Sequence, residues 1–190
     1  MLRLAILTLL AISAASCAGP LTQPKRPFPF TEFGSQAGLE ARQPTDILVA
    51  PVHDQSGTER VPTQTFQKAV VTGLVDRLYS PLVGAPLEAE EMEASMMISS
   101  DGIFQIVVTR WDETHLTGAG KIEIEAEARL VDGADSNRAL LWGVSMGRAI
   151  EISSRLRQQL TATEVRMRAA QGFVKELLAL VPERDPLATP

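Results

Sequence analysis

The chain is poor in the residues on which most protein chemistry depends. Its 190 residues include one cysteine and two histidines, and only 5% of them are aromatic. A single cysteine cannot form a disulfide within the chain, so disulfides do not indicate the compartment. Two histidines, at positions 53 and 115, provide little for a metal centre or for acid–base catalysis.

Positive charge is also scarce, since 18 Lys and Arg residues face 23 Asp and Glu residues, for a net charge of -5. A mildly acidic protein is a poor candidate for binding nucleic acid or for lying on an anionic bilayer. The composition, 45% hydrophobic and 22% charged, is that of a globular protein. Residues 46–190 suffice for one domain, which at this size buries roughly two-thirds of its unfolded surface.

The clearest pattern in the chain is a strict alternation over residues 121–131 (KIEIEAEARLV). Apolar residues occupy the even positions 122–130, and charged residues occupy the odd positions 121–129. A period of two predicts a β-strand with one buried and one wetted face. Such strands belong to antiparallel sheets more often than to parallel ones.

Two neighbouring segments extend this strand into a predicted three-stranded antiparallel meander. Residues 103–111 (IFQIVVTRW) form a strand that is apolar on both faces at its centre, which is typical of an interior position. Residues 139–148 form the third strand. Its second face carries small residues such as Gly143 and Gly147, which predicts a closely packed helix there.

The remaining globular segments are predicted to alternate between strand and helix. Residues 46–52 form a short strand, and a helix capped by Thr63 or Thr65 follows and runs to about Tyr79. Residues 82–86 form a brief strand. The apolar stripe of the helix comprises Phe66, Val70, Val71, Leu74, Val75 and Leu78.

Two further helices complete the predicted domain. Residues 87–97 (LEAEEMEASMM) form an acidic helix whose methionines, Met92, Met96 and Met97, are interpreted as core or rim and not as metal ligands. Residues 153–181 form one helix or two, because Gly172 weakens the interior. The predicted fold class is α+β, with a mixed sheet and helices mainly on one face over residues 46–181, followed by a loose tail at 182–190.

The N-terminus carries the pattern of an export signal. Arg3 precedes an apolar run at residues 4–12 that is too short to span a bilayer, and small residues follow at 13–16. Residues 1–16 are therefore predicted to be a signal peptide, directly followed by Cys17. The junction resembles the lipobox of bacterial lipoproteins, although Ala14 stands where leucine is usual.

The lipobox resemblance implies a lipid anchor at Cys17. In such proteins the thiol carries diacylglycerol, the leader is removed, and the new amino group is acylated, for example by palmitate. Ala18 and Gly19, in place of aspartate, favour the outer membrane by the lipoprotein sorting pattern. The alternative is an ordinary signal peptide cleaved nearby, which leaves a free thiol.

Residues 17–45 are predicted to be a proline-rich tether between this anchor and the domain. Five prolines make residues 18–45 a semi-rigid linker that could reach roughly 85 Å at about 3.1 Å per residue. Phe28, Phe30 and Phe33 interrupt the linker. Two interpretations stay open: the rings pack on the outer surface of the domain, or they form a docking segment for a partner.

No catalytic, cofactor-binding or metal-binding constellation is evident, and the chain is predicted not to be an enzyme. His115 lies beside Asp112 and Glu113, but no second histidine stands at ligand spacing. His53, Asp54 and Ser56 are too close in sequence for a catalytic triad.

Other polar residues fit structural roles better than catalytic ones. Asp132 and Asp135 are turn formers, and residues 118–121 (GAGK) form a hairpin turn in place of a phosphate loop. Charged side chains on two elements are interpreted as solvated surface, with an acidic partner as the alternative for the arginines. They are Glu123, Glu125 and Glu127 on the strand and Arg155, Arg157, Arg166 and Arg168 on the last helix.

Three segments, residues 47–57, 106–116 and 121–145, together resemble an uncharacterised family of bacterial lipoproteins related to the curli-secretion lipoprotein CsgG and the N-terminal domain of TolB. The resemblance implies an α+β domain in an envelope-associated assembly or transport accessory. It supplies no catalytic residues, and only Cys17 matches a functional position.

These observations lead to one predicted function and one alternative. The prediction is an outer-membrane lipoprotein that faces the periplasm and works without catalysis as an assembly or transport accessory. The alternative is a lipoprotein activator of a peptidoglycan synthase. The expected partners are the membrane, through the lipid, and envelope proteins; nucleic acid is not expected, and homo-oligomerisation is left open.

Overall fold

The structure, a computed structural model, describes residues 27–83, 100–135 and 137–185 of the chain. Seven strands form one mixed sheet: β1 (Phe30–Ser35), β2 (Asp46–Val49), β3 (His53–Asp54), β4 (Ser80–Val83), β5 (Gly102–Asp112), β6 (Lys121–Asp132) and β7 (Leu140–Glu151). The helices within these ranges are α1 (Ala37–Arg42), α2 (Thr63–Val75), α3 (Ser154–Gln159) and α4 (Ala162–Leu178). The predicted α+β fold with a mixed sheet is confirmed.

The strand order explains how antiparallel and parallel pairing coexist in one sheet. The order is β1-β7-β6-β5-β2-β4, with β3 paired to β5 beyond the end of β2. The predicted meander is confirmed, because β5–β6 and β6–β7 are antiparallel. β2 runs parallel to both β4 and β5, so α2 lies on the crossover from β2 to β4. In the described part of the chain, β1 and β4 are the two edges.

The alternating strand β6 lies at the centre of the core, as its pattern predicts. Its five even-numbered apolar residues, positions 122–130, are all 0% exposed. Helices α2 and α4 both pack over this face, and their buried residues belong to the same core cluster as those of β6. The ring of Phe66 on α2 lies 6.2 Å from Trp111 of β5 and 6.0 Å from Phe173 of α4. The expectation that the helices lie mainly on one face is thereby confirmed.

The predicted end of α2 is wrong, and the error exposes apolar side chains. The helix ends at Val75, because Leu78 takes a positive φ of 68° that a right-handed helix cannot continue. Val75 and Leu78 belong to the predicted apolar stripe, yet they are 54% and 51% exposed. The buried part of the stripe consists of Phe66, Val70 and Leu74.

The starts of the helices also differ from prediction. Pro62 precedes α2, and no side chain caps that helix. The segment predicted as one or two helices is two, but the break lies before Thr161 and not at Gly172. Thr161 begins α4 with a capping box, in which its hydroxyl accepts from the Glu164 amide at 3.3 Å and its own amide donates to the Glu164 carboxylate at 2.7 Å.

Part of the predicted tether is folded. Residues 30–35 form strand β1, antiparallel to β7, and residues 37–42 form α1, whose Leu39 is buried in the core. The interpretation of 17–45 as one linker is therefore wrong for residues 30–42. The physical reason is that all prolines between 18 and 45 lie at 20–29 and at 44. Residues 30–43 contain no proline, so their backbone amides can form the hydrogen bonds of a strand and a helix.

The small residues on β7 do not receive a helix, contrary to prediction. Phe30 pairs with Gly147 across β1 and β7, and its ring fills the space above the glycine. A Cβ atom at Gly147 would lie 2.3 Å from that ring. A cross-strand aromatic ring thus occupies the face where a helix was expected.

The strand predicted at residues 82–86 is β4, which begins earlier, at Ser80.

Several predictions fall outside the described residues: the signal peptide, Cys17, and the acidic helix at 87–97 with Met92, Met96 and Met97. Among the helices that the structure describes, none has both the length and the apolar character needed to cross a bilayer.

Candidate functional site

The polar residues at the loop end of the β5–β6 hairpin, residues 111–117, form the most concentrated group of candidate catalytic side chains. We call this region the hairpin end. It lines a cavity of about 550 Å³ together with Thr58 and Arg60. His115 is exposed, and its backbone carbonyl accepts from the Lys121 amide at 3.3 Å.

Glu113 is the centre of the hairpin end, and donors surround its carboxylate. Arg166 of α4 donates from Nε at 2.7 Å and from a terminal nitrogen at 3.1 Å. The indole of Trp111 donates at 2.7 Å, and Arg60 donates at 3.4 Å. This carboxylate therefore joins the hairpin, α4 and the loop after β3.

The protonation of Glu113 follows from these contacts. Burial acts to raise the pKa of Glu113, but hydrogen bonds from Arg166 and Trp111 outweigh burial and hold the pKa below its usual range. The same hydrogen bond raises the pKa of Arg166. A carboxylate that is charged, largely enclosed and fully engaged has no lone pair directed at a substrate, so it is poorly suited to act as a general base.

Asp112 is also engaged by its neighbours. Hydrogen bonds from Thr114, first from its side chain and then from its backbone, together with one from Arg110, hold the pKa of Asp112 well below its usual range. The backbone bond measures 2.9 Å. Arg110 also pairs with Glu123 on the adjacent strand. These pairs stabilise the turn and the wetted face of the sheet.

The apparent triad at residues 53–56 is not assembled. Asp54 accepts from the backbone amide of Ser56 at 2.8 Å, which is a local turn. The Ser56 hydroxyl lies 3.1 Å from the Thr58 hydroxyl. His53 is exposed, and its strand pairs with Val107 in the middle of β5, away from the hairpin end. Within the described ranges, no three His, Cys, Asp or Glu side chains group in a way that could hold a metal ion.

The turn-forming roles of the remaining acids are confirmed. Asp132 accepts from the Ala134 amide at 2.9 Å and from Arg42 of α1 at 2.9 Å. Asp135 accepts from the Asn137 amide at 2.9 Å. Residues 118–121 form a hairpin turn as predicted, because Gly120 takes a φ of 71° and β6 begins one residue later.

The arginines predicted as a solvated helix surface divide into two groups. Arg155 and Arg168 are exposed, as expected. Arg157 and Arg166 instead bind inward. Arg157 donates to the carbonyls of Leu116 and of the following residue at 2.8 and 2.9 Å, which fastens α3 to the hairpin end. The spacing in the sequence gives no sign of this division, because it depends on where the hairpin lies.

The three phenylalanines of the predicted tether also divide. Phe28 and Phe30 lie on the sheet face opposite the helices, with ring centroids 5.7 Å apart. The guanidinium of Arg110, on β5, lies 4.9 Å from the Phe28 centroid, which is a cation–π contact. Phe33 is 51% exposed. Surface packing is thus correct for the first two rings, and the docking interpretation stays open for Phe33.

Two grooves along α2 have no counterpart among the sequence predictions. One, of about 760 Å³, runs between α2 and α4 and is lined by Gly73, Met167 and Leu178 among others. The second, of about 670 Å³, lies between α2 and β4 and is lined by Val71 and Val83. The exposed apolar residues after Leu74 are the signal that could have indicated such surfaces.

The comparisons with known proteins concern the fold. The chain matches no protein-family model and no curated protein. It is similar to the PelC dodecamer from Paraburkholderia phytofirmans in two crystal forms. One has a TM-score of 0.52 at 16% identity, covering 80% of this chain and 99% of that one. The other has a TM-score of 0.51 at 13% identity, covering 79% and 97%.

A more distant likeness is the lipoprotein GNA1162 from Neisseria meningitidis, with a TM-score of 0.43 at 19% identity, covering 72% of this chain and 99% of that one. This third likeness adds nothing to the assignment of the fold. The PelC structures support the fold alone at these identities. The relation to CsgG and TolB stays a prediction.

Proposed function

We propose that this chain is a lipoprotein of the bacterial outer membrane, anchored through Cys17 and facing the periplasm, that serves as a non-catalytic accessory in envelope export or assembly. One observation carries the proposal: the only cysteine directly follows an apolar leader and four small residues at 13–16. Two or three acyl chains on one residue give stable anchoring, because each buried methylene contributes about 0.8 kcal/mol.

The geometry of the candidate catalytic groups supports a non-catalytic role. The acids of the hairpin end already bind arginine, tryptophan or backbone donors, as described for Glu113 and Asp112. His53 and His115 are both exposed and lie on separate elements. Such a surface offers contacts to other proteins and little that could transfer a proton or attack a substrate.

Self-association is part of the proposal. The PelC proteins that share this fold form dodecamers. Most oligomers of soluble domains are homo-oligomers with closed symmetry, so one small domain can build a large assembly. We therefore propose that this chain works as a homo-oligomer, with each copy attached to the membrane by its own lipid.

The second candidate, an activator of a peptidoglycan synthase, is less well supported. Because the ring of Phe28 already packs against Arg110 on the sheet, only the ten residues 18–27 separate Phe28 from Cys17. Fully extended, ten residues reach roughly 31 Å, far less than the tether predicted from 28 residues. An activator that reaches across the envelope needs a long free linker between its lipid and its domain. The short linker of this chain therefore favours an accessory close to the membrane.

Membrane anchoring is tested by fractionation with two substitutions. Cys17→Ala should move the protein out of the membrane fraction, and mass spectrometry of the wild type should find diacylglycerol on Cys17. Ala18→Asp keeps the anchor and should shift the protein from the outer to the inner membrane. An unmodified Cys17 thiol in a membrane-bound wild type would contradict lipidation.

The partner is tested by chemical crosslinking in cells followed by purification from membranes. Export or assembly components that are captured with the wild type and lost with Cys17→Ala would support the accessory role. Enrichment of a peptidoglycan synthase would support the second candidate. The matched control is Ala18→Asp, which separates dependence on anchoring from dependence on the outer membrane.

A further inference from the structure

A row of apolar side chains crosses the sheet on the face that the described helices leave open. It takes one residue from each of the adjacent strands β4, β2, β5 and β6, and each residue is in register with the next. We call these residues the apolar row: Leu82, Leu48, Ile103 and Val131. Leu48 packs against a small hydrophobic cluster of Ile103, Val131 and Ala50 that is separate from the main core.

Alternation along the strands shows which face the apolar row occupies. Ile47 and Val49, on either side of Leu48, both belong to the main core under the helices. Phe104 beside Ile103 belongs to the same core. Successive side chains of a strand point to opposite faces of the sheet. The apolar row therefore faces away from α2 and α4.

The centre of the apolar row is buried on this face. Ile103 is 1% exposed and Val131 is 8% exposed, whereas Leu82, at the β4 end, is 41% exposed. No apolar residue of the described helices belongs to their cluster. Arg129, two residues before Val131 on the same face, keeps 60% of its side chain exposed. The burial of the centre therefore requires a cover other than the described helices.

The connection from β4 to β5 is expected to cross this face. β2 lies between β4 and β5 and runs parallel to both, so residues 84–101 connect two parallel strands of one sheet. Such crossovers are nearly always right-handed. The crossover from β2 to β4 carries α2 on the face of the main core. A crossover of the same hand that runs back in the opposite direction lies on the other face.

We infer that residues 84–99 pack on the apolar row as the crossover from β4 to β5. Their number fits, because parallel strands need a connection of roughly a dozen residues or more. The helix predicted at 87–97 would be about 16 Å long at 1.5 Å per residue. Strand β2 has four residues and spans about 13 Å. A helix of this length is sufficient to return the chain along β2 to the start of β5.

The sequence of the segment supplies an apolar face for this contact. Ala89, Met92 and Met96 recur at i, i+3 and i+7, which places them on one face of the predicted helix. Glu90 and Glu91 fall on the opposite face. Methionine side chains are flexible and fill irregular gaps between apolar neighbours. The inference therefore places Met92 and Met96 against the apolar row and the two glutamates in solvent.

The inference also separates two apolar surfaces that meet at β4. Val83, the residue after Leu82, is in register with the buried Val49 and lines the groove of about 670 Å³ between α2 and β4. That groove lies on the helix-bearing face. Because the crossover leaves β4 on the other face, residues 84–99 do not occupy the groove.

Methionine oxidation tests the packing, because the chain contains its own reference residues. The full-length protein is treated with hydrogen peroxide, and mass spectrometry after digestion gives the rate at each methionine. Met92 and Met96 should be oxidised at least about 10-fold more slowly than Met167, which is 38% exposed. Met146, which is 0% exposed in the core, reports that the domain is folded. Equal rates at Met92, Met96 and Met167 would overturn the inference.

Two adjacent substitutions on β4 identify the surface that the segment covers. Leu82→Asp places a charge in the apolar row and should raise the oxidation rates of Met92 and Met96 towards that of Met167, while Met146 stays protected. Val83→Asp is the matched control, because it places the same charge in the groove on the other face, and both methionines should stay protected. Loss of protection in Val83→Asp, or its retention in Leu82→Asp, would overturn the inference. Wild-type protection that disappears on dilution would identify a second copy as the cover and overturn it as well.

Discussion

The hairpin end and the α2–β4 edge, which comprises Val75, Leu78 and Val83, differ, and the difference is the opposite of what their sequences suggest. The hairpin end contains His115 and two acids, yet those acids bind Arg166, Thr114 and other neighbouring donors, and its role is to join elements. The α2–β4 edge contains ordinary valines and leucines, yet the structure leaves them exposed beside a groove. Polar residues can thus be structural, while exposed apolar residues at an edge of the described sheet are the stronger candidates for function.

The largest expected effect tests the structural role of the hairpin end. Glu113→Ala should reduce the free energy of unfolding by about 3 kcal/mol, because Arg166 and Trp111 lose a largely enclosed partner. Chemical denaturation measures this loss. The matched control is Glu151→Ala on β7, whose side chain is 73% exposed and which should change stability by less than about 0.5 kcal/mol. A neutral Glu113→Ala would mean that this carboxylate is available for other chemistry.

Acid should destabilise the hairpin end by protonating Glu113 and Asp112. The pKa of Glu113 and that of Asp112 are both lowered in the folded protein. Their contribution is therefore complete above the unfolded pKa of about 4 and is lost as pH falls through the lower folded pKa. The free energy of unfolding should fall from about pH 5 towards pH 2 more steeply in the wild type than in Glu113→Gln. Parallel pH profiles for the two proteins would contradict the assignment.

The contact between β1 and β7 should be sensitive to a single methyl group. Gly147→Ala should cost about 1–2 kcal/mol, because its Cβ would lie 2.3 Å from the Phe30 ring. Gly143→Ala on the same strand is the control, since its Cβ would meet no atom closer than 3.5 Å. Combining Gly147→Ala with Phe30→Ala should give less than the sum of the two single losses. Additive losses would show that the ring and the glycine act independently.

The smallest expected effect lies at the other region. Leu78→Ser should change the free energy of unfolding by no more than about 0.5 kcal/mol, because the side chain is already 51% exposed. Leu74→Ser, four residues earlier and fully buried, is the matched control and should be strongly destabilising. A large loss from Leu78→Ser would place that side chain in the core and weaken the contrast between the two regions.

Patterns between residues near one another in the sequence predicted the central strands of the sheet. The alternation of β6 identified its buried face, and the meander followed from its neighbours. Thr161 and Glu164 carry a capping signal that the sequence analysis passed over in favour of Gly172. The first strand was missed because the prolines just before it dominated the interpretation of the whole segment.

The candidate surfaces depend on tertiary placement, which no periodicity contains. Val75 continues the helical stripe of Leu74 and Val71, yet it is 54% exposed at the end of α2. The two arginine partners of Glu113 lie 53 residues away on either side, Arg60 on the loop after β3 and Arg166 on α4. Such contacts are long-range consequences of packing, so residue spacing could not predict them.

The placement of β1 has a mechanical consequence for a protein held at its N-terminus. The N-terminal segment reaches the exposed sheet face at Phe28. Strand β1 follows directly and is the outermost strand, hydrogen-bonded to β7. Arg148 also holds β1, because it donates to the Phe30 carbonyl at 2.6 Å and to the Thr31 hydroxyl at 2.7 Å. Any tension from an anchor therefore loads this strand before the others. Under a steady pull β1 would separate from β7 one hydrogen-bond pair at a time. The segment between Cys17 and the domain would lengthen, while the remaining strands and the helices stayed assembled.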